Sequence, residues 1–289
     1  MIRLSRFIPK FDFTKRQKFL LATIIVTLSM MAIRFDVFSV AAWRFRVLGF
    51  SLISIGATVL SLKDEDFSGV EWLTLPILPV FFALAAALVF PLLPSEVSQL
   101  FFWSLDTDTG IVIAGIIRFA YLAFFATGFY AVLLTANIFN IAGIKSIQLT
   151  RVAHSVGFFL TLTTMLLLNL VIYSLHLPSF INFILIFVIA FPLTLQSIWS
   201  FLLEPKLTRV VVTLSFAVSL AVAQVGWILS FYPITIFIFA LFLTALLYEM
   251  IGMVQYYLSE RLTLVLVREA VFVMSIFLIL TVLSASWTG

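Results

Sequence analysis

The run IVIAGIIRFAYLAFFATGFYAVLLTA, residues 111–136, contains a single charged side chain, Arg118. A helix rises about 1.5 Å per residue and bilayer hydrocarbon is about 30 Å thick, so about 20 apolar residues cross it. This run is long enough to span. Working outward, apolar stretches recur at residues 19–33, 47–62, 73–93, 152–175, 181–202, 210–231, 234–254 and 262–286. Together they predict an all-α integral membrane protein, a polytopic helical bundle of about nine transmembrane helices. The composition agrees, with 63% hydrophobic and 10% charged residues. The first two stretches are nearer 15 residues than 20, so they cross only if Lys18, Arg34 and Arg46 snorkel or the bilayer thins. The alternative is an N-terminal re-entrant hairpin followed by about seven full spans.

No hydrophilic stretch in the 289 residues is long enough to fold as a core of its own. The chain therefore divides into a basic cytoplasmic interfacial tail, residues 1–18, and a transmembrane bundle, residues 19–289. Arg3, Arg6, Lys10, Lys15, Arg16 and Lys18 hold much of the positive charge behind the net +4. Beside an apolar run, such a cluster is matched by the anionic lipids of the bilayer and not by nucleic acid. The first apolar run is followed by Ile33, Arg34, Phe35 and Asp36, which lack the small residues of a signal-peptidase site, so it is read as a retained helix. Without cysteine the chain has no disulfide, thiolate ligand or cysteine nucleophile.

Lysines and arginines set the orientation, because cytoplasmic loops carry their excess. With the N-terminus inside, the inner segments hold the tail cluster, Lys63, Lys145, Arg151, Lys206, Arg209, Arg261 and Arg268, whereas the outer ones hold Arg34, Arg44 and Arg46. An odd span count then puts the C-terminus outside. Loops are short. The outer segment 94–110 carries Phe101, Phe102 and Trp103 and is expected along the interface, and the inner segment 137–151 alternates Ile138, Ile141 and Ile144 with Asn140, Lys145 and Gln148 like an interfacial amphipathic helix. Pro192 inside the sixth span predicts a kink, since it frees the carbonyl of Val188.

Charges within spans are the candidate functional residues. Arg118 costs on the order of 3 kcal/mol in hydrocarbon unless compensated. On its helix Ala123, Thr127, Ala131 and Thr135 form a small row suited to close helix contact, while Arg118 lies with Leu122, Phe125 and Phe129 on the opposite face. It is expected either to line a polar cavity as an anion or lipid-headgroup site, or to snorkel to the outer interface. Glu249, about a turn and a half from the inner end of the eighth span, matches the depth of Arg268 on the ninth. A structural ion pair between Glu249 and Arg268 is expected, with a coupling carboxylate as the alternative reading of Glu249. Ser215, Ser219, Ala223 and Gly226 make a packing face on the seventh span that should meet the eighth. Asn169 and Gln196 should be satisfied by neighbouring helices.

The remaining motifs exclude more than they assign. His154 and His176 fall near opposite surfaces and cannot share a metal. No H-E-x-x-H, phosphate-binding loop or G-x-S-x-G is present, so no catalytic residue, metal or cofactor is assigned. Asp106-Thr107-Asp108-Thr109-Gly110 opens like a calcium loop, but its glycine comes one position early and Ile117 stands where a carboxylate is needed; capping of the fourth span by Asp108 or Thr109 accounts for it. Asp36, flanked by Arg34, Arg44 and Arg46, is read as charge neutralisation.

Residues 137–151, 192–199 and 268–287, with Arg268-Glu269 opening the last and Ser286-Trp287 closing it, together resemble a bacterial family of polytopic membrane proteins classed as a domain of unknown function. The resemblance implies a bacterial plasma membrane and carries over no functional residue. Two functions remain: a transporter or lipid-handling protein with a polar site near Arg118, or a non-catalytic scaffold or subunit that packs against other membrane proteins.

Overall fold

The computed structural model describes residues 14–34, 41–62, 69–100, 103, 104, 106–142 and 149–285, with backbone alone for 32–34, 41–46, 99, 100, 103 and 104. The expectations placed on Asp36, Lys63, Phe101, Phe102, Lys145, Ser286 and Trp287 lie outside the described residues, as does residue 1–13 of the tail. Among the described residues ten α-helices follow one another: α1 (Lys15–Arg34), α2 (Ala41–Leu62), α3 (Glu71–Thr74), α4 (Ile77–Val89), α5 (Thr107–Ala142), α6 (Thr150–Ser174), α7 (Ser179–Leu202), α8 (Arg209–Leu229), α9 (Ile236–Leu258) and α10 (Leu264–Leu283). A short 3-10 turn, Phe90–Leu92, extends α4. Strand structure among the described residues is confined to a two-residue antiparallel ladder, β1 and β2, that pairs Gln99 with Ser104 and Leu100 with Trp103. Helices dominate because in hydrocarbon each backbone N–H must find its acceptor inside its own segment.

Seven segments among the described residues are long and apolar enough to cross a membrane: Glu71–Leu92, which joins α3 and α4, and α5 through α10. The first two apolar stretches are longer helices than the sequence predicts, at 20 residues for α1 and 22 for α2. They pack on each other and together against α4 and α5. Lys15 Nζ donates to Asn137 Oδ1 at 3.2 Å, which fixes the start of α1 beside the inner end of α5.

Helix α5 corrects two expectations. It runs 36 residues, so residues 137–142 continue it and do not begin a separate interfacial helix; residues 143–148 of that expectation lie outside the described residues. Ile138 and Asn140 are packed into the bundle because the apolar period simply continues down the same helix. The helix begins at Thr107, ahead of both expected caps, and the Asp106 carbonyl accepts the Gly110 N–H at 2.8 Å. Asp108 sits in the first turn, where the helix dipole favours a negative charge. Gly110 is required there: a Cβ would stand 2.5 Å from the Val97 carbonyl oxygen of the outer loop, a backbone atom that cannot swing away.

The packing faces also differ from expectation. On α5 the aromatic face is buried: Phe125 stacks on Phe82 of α4 at 5.9 Å and on Phe129 at 5.8 Å; of the small row, Ala123 and Thr127 are exposed, whereas Thr135 is buried against Gly157 of α6. Burying two phenylalanines removes far more apolar area than burying alanine and threonine, so the larger face wins wherever a neighbour can accommodate it. Gly128 provides the room, since a Cβ there would lie 2.6 Å from Phe82 Cζ. The small face of α8 meets chiefly the preceding helix α7, the most extensive pairing in the bundle. Ser219 Oγ donates to Thr194 Oγ1 of α7 at 3.4 Å, and Gly226 lies where α7 and α9 both press on α8.

Helix α6 is central, packing on α4, α5, α7 and α9, while α10 rests on α9. At the outer ends Tyr173 donates to the Tyr232 carbonyl at 3.1 Å and Asn182 Nδ2 to Ser230 Oγ at 3.2 Å, holding α6, α7 and α8 in register. Helix α7 continues unbroken through Pro192. Just beyond the ends of α6, α7 and α9 stand His176, Leu203 and Glu260, all with φ near +50°. A left-handed residue is the usual way to stop a helix, although glycine normally fills the place. At Leu203 the strain is held by the Trp199 indole, which donates to the Glu204 carbonyl at 2.9 Å.

Candidate functional site

Consecutive helices run in opposite directions, so the start of α6, the end of α7, the end of α9 and the start of α10 meet at one end of the bundle. The charge count in the sequence expects that end to be the inner one. Two cavities lie there, and a third lies farther along α8, α9 and α10. The first, about 420 Å³, lies among α6, α7 and α9 and is lined by Arg151, His154, Ser155, Phe158, Gln196, Ser197, Ser200, Phe201 and Gln255, among others. Helical spacing explains the set: 151, 154, 155 and 158 share one stripe of α6, and 196, 197, 200 and 201 share one of α7. The His154 ring sits between Phe139 and Phe201, with centroids 5.2 and 6.0 Å away. Gln196 is 3% exposed, and its Oε1 has no hydrogen-bond partner.

The second chamber, about 460 Å³, shares Phe158, Phe201 and Gln255 with the first and adds Tyr248, Glu249, Tyr256, Ser259 and Glu269. Its lining holds two carboxylates and no lysine, arginine or histidine. Phe158 and Tyr248 pack with ring centroids 5.5 Å apart. The third, about 600 Å³, is an apolar groove between α8, α9 and α10, lined by Val225, Ile228, Phe242, Leu246, Met250, Met274 and Leu278 with others. Glu249, Met253 and Ala270 belong to both the second and third chambers. A polar cleft and an apolar groove therefore share lining residues, one of them a glutamate.

The residues singled out from sequence fall differently. Arg118 lies in the outer half of α5, lines none of these three chambers, and donates Nη2 to the Pro94 carbonyl of the outer loop. Beside it Tyr121 donates to the Ala86 carbonyl at 3.0 Å and stacks on Phe90 at 6.1 Å. Because α9 extends to Leu258, Glu249 lies about two and a half turns from its end, deeper than the sequence places it. Arg268 is exposed on α10 with Nε donating to the Leu264 carbonyl at 3.4 Å, and among the described residues no ion pair joins it to Glu249. Depth is shared, but the face is not. At about 100° per residue α10 turns Leu266, Glu269, Ala270 and Val273 toward the cleft, and Arg268 points elsewhere. Asn169, fully buried on α6, has neither amide atom hydrogen-bonded, and Gln196 has the unpartnered oxygen noted above, so neighbouring helices do not satisfy them as expected.

The cleft was missed because its polar residues were weighed one at a time. Their signal is collective: Arg151, His154 and Ser155 in α6 and Gln196, Ser197 and Ser200 in α7 recur at three- to four-residue spacing, and Glu249 and Gln255 add two polar side chains from α9. Among the described residues no group of three or more histidine, aspartate and glutamate side chains is placed to hold a metal.

By architecture the chain is an all-helical protein with seven helices able to cross a membrane and a polar cleft at one end of the bundle. It belongs to the DUF5656 family, described as proteins of unknown function, whose profile matches residues 21–284. No curated protein and no solved structure matches it.

Proposed function

We propose that this is a lipid-handling protein of the bacterial plasma membrane that receives an amphipathic molecule from the inner leaflet. The observation that carries the reading is that the polar cleft and the apolar groove lie side by side and share Glu249, Met253 and Ala270 in their linings. A lipid needs both environments at once: its tail loses nothing by leaving the bilayer for an apolar groove, while its headgroup needs polar partners. One wall of the groove is α10, most of whose residues are not covered by the rest of the bundle, so a chain can enter sideways from lipid.

In this reading the bundle has nine spans, with the N-terminus and the cleft cytoplasmic and the C-terminus outside. Supporting it, α1 and α2 are about 30 and 33 Å long, enough for hydrocarbon, and the lysine and arginine count is lopsided. The basic tail holds anionic lipid, and Arg118 anchors the outer loop through Pro94. A second reading, a scaffold or subunit that packs on other membrane proteins, is favoured by the exposed Ala123 and Thr127 on α5.

Photo-crosslinking with a phospholipid carrying a diazirine at its chain end tests the proposal. Adducts should concentrate on Met250, Met274 and Leu278, and Val225→Trp should remove them by filling the groove. Labelling no stronger there than at exposed Phe119 and Phe124 of α5 would leave the scaffold reading in place. Native mass spectrometry of the same sample should show lipid retained by the wild type and lost from Val225→Trp.

A further inference from the structure

We infer that the first chamber, among α6, α7 and α9, is a site for a hydroxylated phosphate: an anionic phosphate group with free hydroxyls close by. This goes beyond the lipid-handling reading, which rests on the second and third chambers. The starting point is an unmet polar group inside the chamber itself. Gln196 lines it, is 3% exposed, and its Oε1 has no hydrogen-bond partner. A buried amide without partners is costly, and here it borders a space of about 420 Å³, the size of a small-ligand pocket. A hydroxyl suits an amide in either orientation, donating to its oxygen or accepting from its nitrogen. Two neighbours repeat the demand. Ser200 Oγ gives its proton to the Ser197 carbonyl at 2.9 Å and Ser155 Oγ to the Arg151 carbonyl at 3.4 Å, so these lining residues have acceptor lone pairs left to offer.

Charge sets the other end of the ligand. The lining holds Arg151 and His154 and no carboxylate, since Glu249 and Glu269 line the second chamber and not this one. Arg151 is the second residue of α6, where the helix dipole also favours an anion. Arg151 and His154 stand one turn apart, with about 5–6 Å between such Cβ atoms, so their donors approach from two directions. A planar carboxylate that fills the guanidinium fork has both oxygens engaged, whereas a tetrahedral phosphate has oxygens left for the imidazole. The imidazole is held in place. Phe139 and Phe201 flank it, and Gly157 lets Phe139 of α5 close in, because a Cβ there would already stand 3.4 Å from the Phe139 ring.

Position orders the two ends. Arg151 is exposed at the end of the bundle, whereas Gln196 is buried and lies about a turn farther in than Ser200. The ligand therefore inserts its hydroxyls and leaves its phosphate at the mouth. Two sources offer this chemistry: the headgroup of a polyol phospholipid, whose hydroxylated arm lies beyond its phosphate, and a free polyol phosphate.

Purified protein in an uncharged maltoside detergent can be titrated calorimetrically with glycerol 3-phosphate, ethyl phosphate, glycerate and dihexanoyl phosphatidylglycerol. Glycerol 3-phosphate should bind about tenfold more tightly than ethyl phosphate, which lacks the hydroxyls, and than glycerate, which lacks the phosphate. Arg151→Gln should weaken both phosphates about tenfold, and because Arg151 is exposed this variant folds. Gln196→Leu should bring glycerol 3-phosphate down to the level of ethyl phosphate and leave ethyl phosphate unchanged, a split that a merely structural role would not produce. Ser200→Ala should show the same split more weakly. Dihexanoyl phosphatidylglycerol that binds more tightly than glycerol 3-phosphate and is displaced by it assigns a lipid source; if it binds no more tightly, the source is a free polyol phosphate. Equal affinity for glycerol 3-phosphate and ethyl phosphate, glycerate binding as tightly as either, unchanged affinity in Arg151→Gln, or no saturable binding of any probe would each overturn the inference.

Discussion

Replacing Gly226 with alanine introduces one methyl group into the junction of α7, α8 and α9. Its Cβ would lie 2.5 Å from Ile186 Cδ1 and 3.2 Å from Leu243 Cδ1. Carbon atoms sit comfortably at about 3.5 to 4.0 Å, so the first contact must open by about 1 Å. Neither neighbour has space to yield, because Ile186 and Leu243 are both 0% exposed. Overpacking of this kind costs about 1–3 kcal/mol, partly offset by the roughly 1 kcal/mol by which alanine favours a helix over glycine. The net expectation is a loss of up to about 2 kcal/mol, read as a fall of a few degrees in thermal unfolding in detergent. Two companions sharpen the test. Gly115→Ala meets nothing within 4 Å and should be neutral or stabilising. Ile186→Val removes the clashing Cδ1, so on its own it should cost about 1 kcal/mol, but combined with Gly226→Ala it should cost less than the sum. Strict additivity of Gly226→Ala and Ile186→Val would refute the packing argument.

Glu249→Gln and Arg268→Gln should be additive in a double-mutant cycle on thermal stability, with a coupling below about 0.5 kcal/mol, because α10 turns Arg268 away from the cleft; a coupling well above that would restore the pair. Asn169→Leu should stabilise the protein by about 1 kcal/mol or more, as it removes two buried polar atoms without partners, and a lower unfolding temperature would show that the amide is satisfied in the folded state. Glu260→Gly should raise the unfolding temperature by relieving a left-handed residue at φ 56°, where side chains cost about 1–2 kcal/mol and glycine costs little; a drop would mean the side chain contributes more than its backbone strain. Arg118→Leu should leave binding of glycerol 3-phosphate unchanged while exposing the outer loop to protease, since its contact is with Pro94; loss of that binding would tie the two ends of the bundle together.

Span positions were readable from sequence because the bilayer demands length and apolarity, and both are local properties. The ends were less so. Helix α5 overran its apolar window at both ends because Thr107 and Asn140 can stay helical beyond hydrocarbon while an apolar face continues into the bundle. Face assignments failed for a different reason. In lipid both sides of a helix are apolar, so the pattern that separates inside from outside in water is weak, and the choice between the Ala123 row and the Phe125 row rested on whether a partner such as Phe82 had room. Glu249 stands out in the sequence as a charge within an apolar run, but its surroundings depend on the rotation of α10, which a matched-depth argument leaves undetermined. The first chamber needed three helices at once, and no single helix carried enough polar residues to announce it.

Helix α10 forms a wall of the second chamber with Leu266, Glu269 and Val273 and a wall of the third with Val271, Met274 and Leu278, with Ala270 at the seam. The two spaces thus share α10 as a common divider, seated on α9. Any roll of that divider which widens one space narrows the other, and thermodynamic linkage then makes their occupants sense each other without touching. A tail that swells the groove works against whatever fills the second chamber unless the same molecule spans both, in which case a single roll position must suit the two ends together. Selectivity for chain length and selectivity for headgroup are, on this helix, the same mechanical variable.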